Sequence, residues 1–167
     1  MDEEIVAGTS PRKRDRPFTY ADYRSWPEGE RWELIDGEAY AMSPAPKRLH
    51  QTLLGTLYVQ LNLFFKGKPC KPHIAPVDVF LCAPDEPLDA ATRVVQPDAF
   101  VVCDRSKLID EGVKGAPDFI IEVLSPGTAM KDQNEKRRLY EDSGVREYCV
   151  VNPETLEVFL YSLKEGA

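Results

Sequence analysis

Two carboxylates in apolar surroundings are the residues of this chain best suited to chemistry. Asp98 lies in the strand-like run 94–102, and Glu122 lies 24 positions further on in the strand-like run 119–124. An ionised carboxylate inside an apolar strand is costly unless a partner compensates its charge. A divalent cation shared by the two strands would compensate both charges. The pair is therefore the first sign that this chain carries out chemistry.

The elements that must position these carboxylates follow from apolar spacing and turn signals. Leucine and phenylalanine recur at helical spacing over 49–65, which predicts a long, mostly buried helix, and the charged amphipathic segment 129–142 predicts a second one. Asp36-Gly37 between two strand-like runs predicts a hairpin over 31–42. Further predicted strands are 73–82, 94–102, 119–124, 146–151 and 156–163, with short helices at 19–25 and 107–109.

The order of these elements predicts an α/β domain. A strand–helix–strand crossover over 119–151 favours a parallel or mixed sheet covered by helices. The three strands between the helices are joined by loops, so we expect antiparallel neighbours there. The predicted fold is a mixed, bent β-sheet flanked by helices, with the N-terminal hairpin as an extension. It occupies residues 18–163 as a single domain, after a disordered tail over 1–17.

Composition and charge exclude several protein classes. A chain of 167 residues that is 43% hydrophobic is long enough for one domain with a sizeable core. The net charge of −7 argues against a general nucleic-acid coat protein, but not against an enzyme that touches a few phosphates. No run reaches membrane-spanning length and the N-terminus lacks the apolar core of a signal peptide, so we expect a cytoplasmic protein.

The four cysteines show no metal-binding spacing. They form no CxxC pair and have no histidine close by in the sequence, which argues against a zinc site. Three of them lie in apolar, strand-like runs, so the sequence predicts buried thiols in a reducing cytosol. The cysteines are Cys70, Cys82, Cys103 and Cys149.

Several short motifs, taken in order, resemble the PD-(D/E)xK nuclease superfamily. The resemblance rests on Pro97-Asp98 followed by Glu122-x-Leu124, on consecutive predicted strands between two helices. More narrowly, the chain resembles the Uma2 family of restriction-endonuclease-like proteins over residues 18–163. The matching segments are Glu33-Leu34-Ile35-Asp36-Gly37, His50, Gln96-Pro97-Asp98, Gly115-Ala116-Pro117-Asp118, Ile121-Glu122-Val123-Leu124-Ser125-Pro126, Asp132, Lys136, Tyr140 and Gly144-Val145-x-Glu147-Tyr148.

The resemblance implies a restriction-endonuclease-like fold and a metal-dependent endonuclease acting on DNA. Asp98 and Glu122 would hold Mg²⁺ or Mn²⁺, with the backbone carbonyl of Val123 as a third oxygen ligand. The metal would bind the scissile phosphate and lower the pKa of the attacking water. We also expect a homodimer, because cutting both strands of a duplex is simplest with two symmetric sites. The apolar final strands are the expected dimer edge.

The chain departs from the parent motif at one position. The superfamily lysine stands two residues after the acid, where this chain has Leu124. Asp132, Lys136 and Tyr140 are spaced four residues apart, so they form one stripe on the predicted helix. We therefore expect Lys136 to be the relocated lysine, helped by Tyr140. The resemblance also implies that Glu33 is an auxiliary acid at the edge of the site.

A structural interpretation of the same residues stays open. In it, Asp98 begins a strand, Lys136 forms a structural salt bridge to Glu122, and Tyr140 belongs to the core.

His50, near a helix start, is a surface or capping residue, whereas Asp78 is a further candidate acid on the strand before Asp98. The basic residues expected to meet phosphates are Lys107, Lys114, Lys131, Arg137 and Arg138.

Three functions are compatible with these motifs. The first is a DNA endonuclease that uses Asp98, Glu122 and Lys136. The second is a catalytically inactive nuclease-fold module for binding or assembly, which the net charge and Leu124 favour. The third is a hydrolase of small nucleotide or RNA phosphodiesters, which would have a narrow pocket. Because one fold hosts many functions, the endonuclease prediction rests on the site residues together with the resemblance.

Overall fold

The structure is a computed structural model that describes residues 15–42, 45–125 and 129–162, with the backbone alone for 129–133. These residues form two mixed β-sheets and three α-helices. The helices are α1 (Tyr20–Tyr23), α2 (Arg48–Phe65) and α3 (Ala129–Asp142). The strands are β1 (Trp32–Ile35), β2 (Glu38–Ala41), β3 (Lys71–Ile74), β4 (Asp78–Phe80), β5 (Val94–Val95), β6 (Ala99–Val102), β7 (Leu108–Ile109), β8 (Gly112–Lys114), β9 (Phe119–Val123), β10 (Glu147–Val151) and β11 (Val158–Ser162).

Each sheet combines parallel and antiparallel pairs. The first sheet has the strand order β2-β1-β5-β4-β8-β7, and the second has the order β11-β10-β9-β6-β3. The parallel pairs are β4–β8 in the first sheet and β9–β10 in the second. Helix α3 joins β9 to β10, as a crossover between parallel strands requires. The α/β class is confirmed, and the hairpin β1–β2 is an integral part of the first sheet.

Two segments that were predicted as single strands are each divided between the sheets. The run 94–102 breaks at Gln96-Pro97-Asp98, with β5 in the first sheet and β6 in the second. The run 73–82 divides into β3 in the second sheet and β4 in the first. A proline inside each run lacks the amide hydrogen that a strand ladder uses, so pairing stops there. Within each of these two runs the chain therefore passes from one sheet to the other, and the candidate site lies at this junction.

Two other predictions are wrong. Residues 107–109 were predicted as a short helix, but a 3₁₀ turn ends at Lys107 and a β7–β8 hairpin follows. Cys70 and Cys103 were predicted as buried thiols, but they form a disulfide. The reason is register: Lys71 pairs with Val102 in the β3–β6 ladder, which brings the two cysteines beyond that pair face to face. The described free thiols are Cys82 and Cys149.

Helices α2 and α3 cover opposite faces of the second sheet. Leu54 of α2 packs with Val123 on one face, whereas Tyr140 of α3 packs with Ile120 on the other. Successive side chains of a strand point to opposite faces. Glu122 therefore projects on the same side as Ile120, towards α3, with apolar neighbours around it.

The described residues leave out most of the predicted N-terminal tail. The predicted tail falls largely on residues 1–14, which lie outside the described residues, and the side chain of Asp132 is also outside them. Arg16, close to the first described residue, forms an ion pair with Asp22 of α1. In the described ranges, none of the helices combines the length and the apolar character needed to cross a bilayer.

Candidate active site

The five side chains that the sequence predicted as a site meet at the junction of the two sheets. Glu33 comes from β1 in the first sheet, Asp98 from the bend between the sheets, and Glu122 from β9 in the second sheet. Lys136 and Tyr140 come from adjacent turns of α3. Hydrogen bonds connect all five into one network.

Glu122 is the centre of this network. Its Oε1 atom accepts hydrogen bonds from the Tyr140 hydroxyl at 2.7 Å and from Lys136 Nζ at 3.0 Å. Its Oε2 atom lies 3.4 Å from the Asp98 amide nitrogen, which donates to it. Burial raises the pKa of Glu122 to about 7, with Lys136 opposing the rise and the Asp98 and Glu33 carboxylates adding to it. The protein thus holds a carboxylate that protonates near neutral pH.

Lys136 connects the two sheets through its ammonium group. The Nζ atom lies 3.0 Å from Glu33 Oε2 and 3.0 Å from Glu122 Oε1, and only 9% of its side chain is exposed. A buried lysine is stable when carboxylates surround its charge. The Lys136–Glu122 ion pair of the structural interpretation is therefore present, and it uses the residues that a catalytic site would use.

Asp98 is oriented through one of its two carboxylate oxygens. Its Oδ2 atom accepts from the Val123 amide at 2.8 Å and lies 3.1 Å from His50 Nε2. Across residues 15–42, 45–125 and 129–162, no donor forms a hydrogen bond with Oδ1. Oδ1 therefore keeps its full capacity to accept a ligand, beside the Val123 backbone.

His50 is a member of the network that the sequence interpretation missed. Its place near a helix start predicts a surface or capping residue, but His50 is 7% exposed and contacts Asp98 from the first turn of α2. The hydrogen bond to Asp98 raises the pKa of His50, while burial opposes the rise. The available signal was spacing: Leu54 is buried four residues later, so the two residues share the inward face of the helix.

A second group of polar side chains surrounds Gln96. The Gln96 amide nitrogen donates to Glu33 Oε1 at 3.0 Å, and its side-chain nitrogen donates to Asp78 Oδ1 at 2.7 Å. Arg31 donates to Gln96 Oε1 from Nε at 3.1 Å and from Nη2 at 2.7 Å. Burial raises the pKa of Asp78, which Gln96 opposes. Asp78 thus joins the network through Gln96.

The network carries more negative than positive charge. It contains four carboxylates and two permanent cations, so it has a net charge of −2 when every acid is ionised and His50 is neutral. The acids are Glu33, Asp78, Asp98 and Glu122, and the cations are Arg31 and Lys136.

The donor set fits a hard cation in part. In the described residues, no three or more His, Cys, Asp or Glu side chains are arranged to hold a metal ion. Mg²⁺, however, is commonly bound through one or two protein carboxylates, with water and substrate phosphates completing its shell. Asp98 Oδ1 and Glu122 Oε2 are the oxygens with spare acceptor capacity, since the strong hydrogen bonds fall on the other oxygen of each residue.

Three of the basic residues that were expected to meet phosphates, Lys107, Lys114 and Arg137, have other partners. Lys107 and Lys114 donate to the backbone carbonyls of Ala116 and Pro84. The guanidinium of Arg137 lies over the ring of Tyr161, with 5.2 Å between its carbon and the ring centre. These contacts belong to the surface of the domain rather than to the network.

Comparison with known proteins decides the family. Residues 20–167 match the Uma2 family, which is described as "Putative restriction endonuclease". The chain belongs to the Uma2 family. An uncharacterized protein of Synechocystis sp. is 27% identical over 143 residues, which cover 84% of this chain and 71% of the relative. A crystal structure from Anabaena variabilis, described as "a putative nuclease belonging to DUF820", shares the fold, with a TM-score of 0.70 and 19% identity over 90% of this chain and 82% of that one.

The predicted family and the restriction-endonuclease-like fold are therefore confirmed. In this Uma2 protein, the side chain at the position of the superfamily lysine is Leu124, which packs in the main hydrophobic core. An apolar core residue supplies no cation to the site. The nearest ammonium group to Glu122 in the described network is that of Lys136, from the following helix.

Proposed function

We propose that this Uma2 protein is a metal-dependent DNA endonuclease that hydrolyses phosphodiester bonds at Asp98 and Glu122. The observation that supports this most directly is the state of Asp98: one oxygen is fixed by Val123 and His50, and the other has no donor among the described residues. A carboxylate has about four lone-pair sites on its two oxygens, so Oδ1 of Asp98 can still accept a ligand. The net negative charge of the surrounding network favours a cation at this point.

In this proposal Asp98, Glu122 and the backbone carbonyl of Val123 hold Mg²⁺ or Mn²⁺. A divalent cation held there would supply Lewis-acid chemistry, by polarising a phosphate oxygen and lowering the pKa of the attacking water. His50 and the Val123 amide orient Asp98 so that Oδ1 is available to a ligand. Tyr140 orients Glu122 in the same way, through its other carboxylate oxygen.

Lys136 has the role of the relocated lysine in this proposal. Its positive charge opposes the rise in the pKa of Glu122 and so favours the ionised carboxylate that a metal requires. Glu33 is the auxiliary acid that keeps the ammonium group in place from the first sheet. Lys136 then stabilises negative charge that develops on the phosphate in the transition state.

One observation favours a second candidate, the inactive nuclease-fold module. The Lys136 ammonium is shared between two carboxylates, Glu33 and Glu122, so its charge is already matched in the metal-free protein. A lysine in that state is sufficient to explain a buried structural ion pair. This candidate predicts that Mg²⁺ and Mn²⁺ leave the stability of the protein unchanged.

Homodimer formation is part of the endonuclease proposal, and β11 is the strand that supports it. This strand is an edge of the second sheet, and Val158 and Leu160 are each 61% exposed on it. An exposed apolar edge strand pairs readily with a second copy of itself. We expect Leu160→Lys to convert a dimer to a monomer in analytical ultracentrifugation. A monomeric wild type would contradict this part of the proposal.

The test is cleavage of plasmid and single-stranded DNA in the presence of MgCl₂ or MnCl₂. We expect cutting by the wild type and its loss in Asp98→Asn, Glu122→Gln and Lys136→Met. Asp85→Asn, an exposed acid outside the network, is the matched control and should cut normally. Cutting that survives the first three substitutions would refute the assigned site.

Thermal unfolding with each metal gives a readout that does not depend on activity. A metal at one hundred times its dissociation constant stabilises the folded state by about 2.7 kcal/mol. The wild type should therefore unfold at a higher temperature when metal is added, whereas Asp98→Asn should not. No cutting together with no metal-induced stabilisation would favour the inactive module.

A further inference from the structure

Arg31 lies close to four carboxylates, but its guanidinium binds a neutral side chain instead of one of them. Its Nε and Nη2 atoms both donate to the side-chain oxygen of Gln96, which is neutral. In the described part of the chain, Arg31 makes no ion pair with any carboxylate. Its positive charge therefore remains uncompensated by a direct contact.

The position of Arg31 is fixed relative to the proposed site. Its backbone carbonyl accepts a hydrogen bond from the Met42 amide, which extends the β1–β2 ladder by one pair. Arg31 and Glu33 are two residues apart on an extended chain, so their side chains lie on the same face of the sheet. Gln96 contacts both of them and immediately precedes Pro97-Asp98.

The two cations of the network, Lys136 and Arg31, differ in their hydrogen-bond partners and in their exposure. Lys136 directs its ammonium group at Glu33 and Glu122 and is nearly buried. Arg31 is partly exposed and uses two of its donor atoms on Gln96, which leaves Nη1 and the second hydrogen of Nη2 for a further acceptor. A planar guanidinium with free donors suits a phosphate, whose oxygens accept two parallel hydrogen bonds.

We propose that Arg31 binds a phosphate group of the DNA substrate, beside the phosphodiester that is hydrolysed, and that Gln96 holds its guanidinium in position. This inference rests on the proposed endonuclease function and adds a substrate-binding residue to it. Gln96 suits this purpose because a carboxylate in its place would neutralise the guanidinium before DNA arrives. Arg31 then supplies the cationic contact that the paired Lys136 does not supply to bound DNA.

The experiment compares Arg31→Gln, Arg31→Lys and a matched control, Arg24→Gln. Arg24 is an exposed arginine paired with Asp89 outside the network, so its substitution removes one positive charge without touching the site. A fluorescein-labelled duplex oligonucleotide serves as the probe, with binding measured in CaCl₂ and cleavage in MgCl₂ or MnCl₂ at several salt concentrations. Thermal unfolding of each variant shows whether it is folded.

We expect Arg31→Gln to weaken binding and raise KM by about tenfold or more, with a smaller effect on kcat, because a contact to a neighbouring phosphate is made in the ground state as well. The slope of log K against log salt should fall by about 1, since one phosphate contact is lost. Arg31→Lys should keep the slope and weaken binding less, and Arg24→Gln should behave like the wild type.

Three results would overturn the inference, each in a different way. A wild type that cuts DNA, with KM and salt slope unchanged in a folded Arg31→Gln, would remove Arg31 from the substrate site and leave the endonuclease proposal standing. A wild type that neither binds nor cuts DNA would overturn the endonuclease function and the role of Arg31 together. If Arg31→Gln does not fold, Arg31→Lys decides: binding and KM equal to those of the wild type in that variant would contradict a guanidinium contact to phosphate.

Discussion

The substitution Glu122→Gln should stabilise the metal-free protein at alkaline pH although it removes a residue of the proposed site. Glutamine keeps the size of the side chain and an oxygen that accepts from Tyr140, but it carries no charge into the buried network. The ionised glutamate has to be held among apolar residues with two other carboxylates close by. We therefore expect the advantage of the variant to depend on pH.

The sign and size of this effect follow from the pKa of Glu122. Burial raises that pKa to about 7 in the folded protein, from an ordinary value of 4.5. The folded state consequently binds the proton more tightly than the unfolded state, so the free energy of unfolding decreases as the pH rises from the lower value through the higher one. Between pH 5 and pH 8 the ionisation costs the wild type about 2–3 kcal/mol, which the variant does not incur.

The assay is urea or thermal unfolding in EDTA, followed by circular dichroism, for the wild type and Glu122→Gln at both pH values. The difference between the two proteins should widen by about 2–3 kcal/mol from pH 5 to pH 8, or by about 5–10 °C in the unfolding midpoint. Asp85→Asn, which removes an exposed acid, should show no such widening. A constant difference across this pH range would mean that Glu122 ionises normally and would refute the reasoning.

Three further substitutions test other contacts of the same structure. Lys136→Met leaves Glu33 and Glu122 without their cation and should cost about 3–5 kcal/mol in urea unfolding at pH 8; a cost below about 1 kcal/mol would show that the pair does not stabilise the fold. Tyr140→Phe removes one hydrogen-bond donor to Glu122 and should lower the free energy of unfolding by about 1–2 kcal/mol in the same assay. The loss should be smaller at pH 5, where Glu122 is protonated. Cys70→Ser opens a disulfide that spans 33 positions and should cost about 3–4 kcal/mol under non-reducing conditions, where the denatured wild type should titrate as two thiols.

Elements with a strong periodic pattern could be predicted from the sequence. Helix α3 spans the predicted residues, and the bounds of α2 lie within one residue of their prediction, because each buries one stripe of side chains. The prediction that α2 is mostly buried is wrong, since its buried residues are His50 and Leu54. The Asp-Gly turn likewise predicted the hairpin β1–β2. The division of 94–102 between two sheets was missed because its apolar pattern continues on both sides of the break. Only Pro97 marked the change of partner.

Part of the candidate site could likewise be predicted from the sequence, and part could not. Glu33, Asp98, Glu122, Lys136 and Tyr140 were found because the motif resemblance names residue types in a fixed order. The remaining members carry no local signature. Arg31 and Gln96 are 65 positions apart, and their hydrogen bonds depend on the passage of the chain between the sheets. His50 contacts Asp98 across 48 positions, so its role became visible only in three dimensions.

The double attachment of Lys136 has a consequence for the evolutionary record of the family. Glu33 belongs to the first sheet and Glu122 to the second, so one ammonium group fastens the two halves of the domain together. We expect selection for folding alone to preserve Glu33 and Lys136, because the buried ammonium group needs a carboxylate partner, but not the charge of Glu122, since glutamine there should stabilise the metal-free protein at alkaline pH. Position 98 is different, because asparagine would still accept the Val123 amide through its oxygen while lacking the charge for a metal. Among Uma2 sequences, we therefore expect residues 33 and 136 to be kept wherever the fold is kept, and the acids at 98 and 122 to be kept together only where a metal is bound.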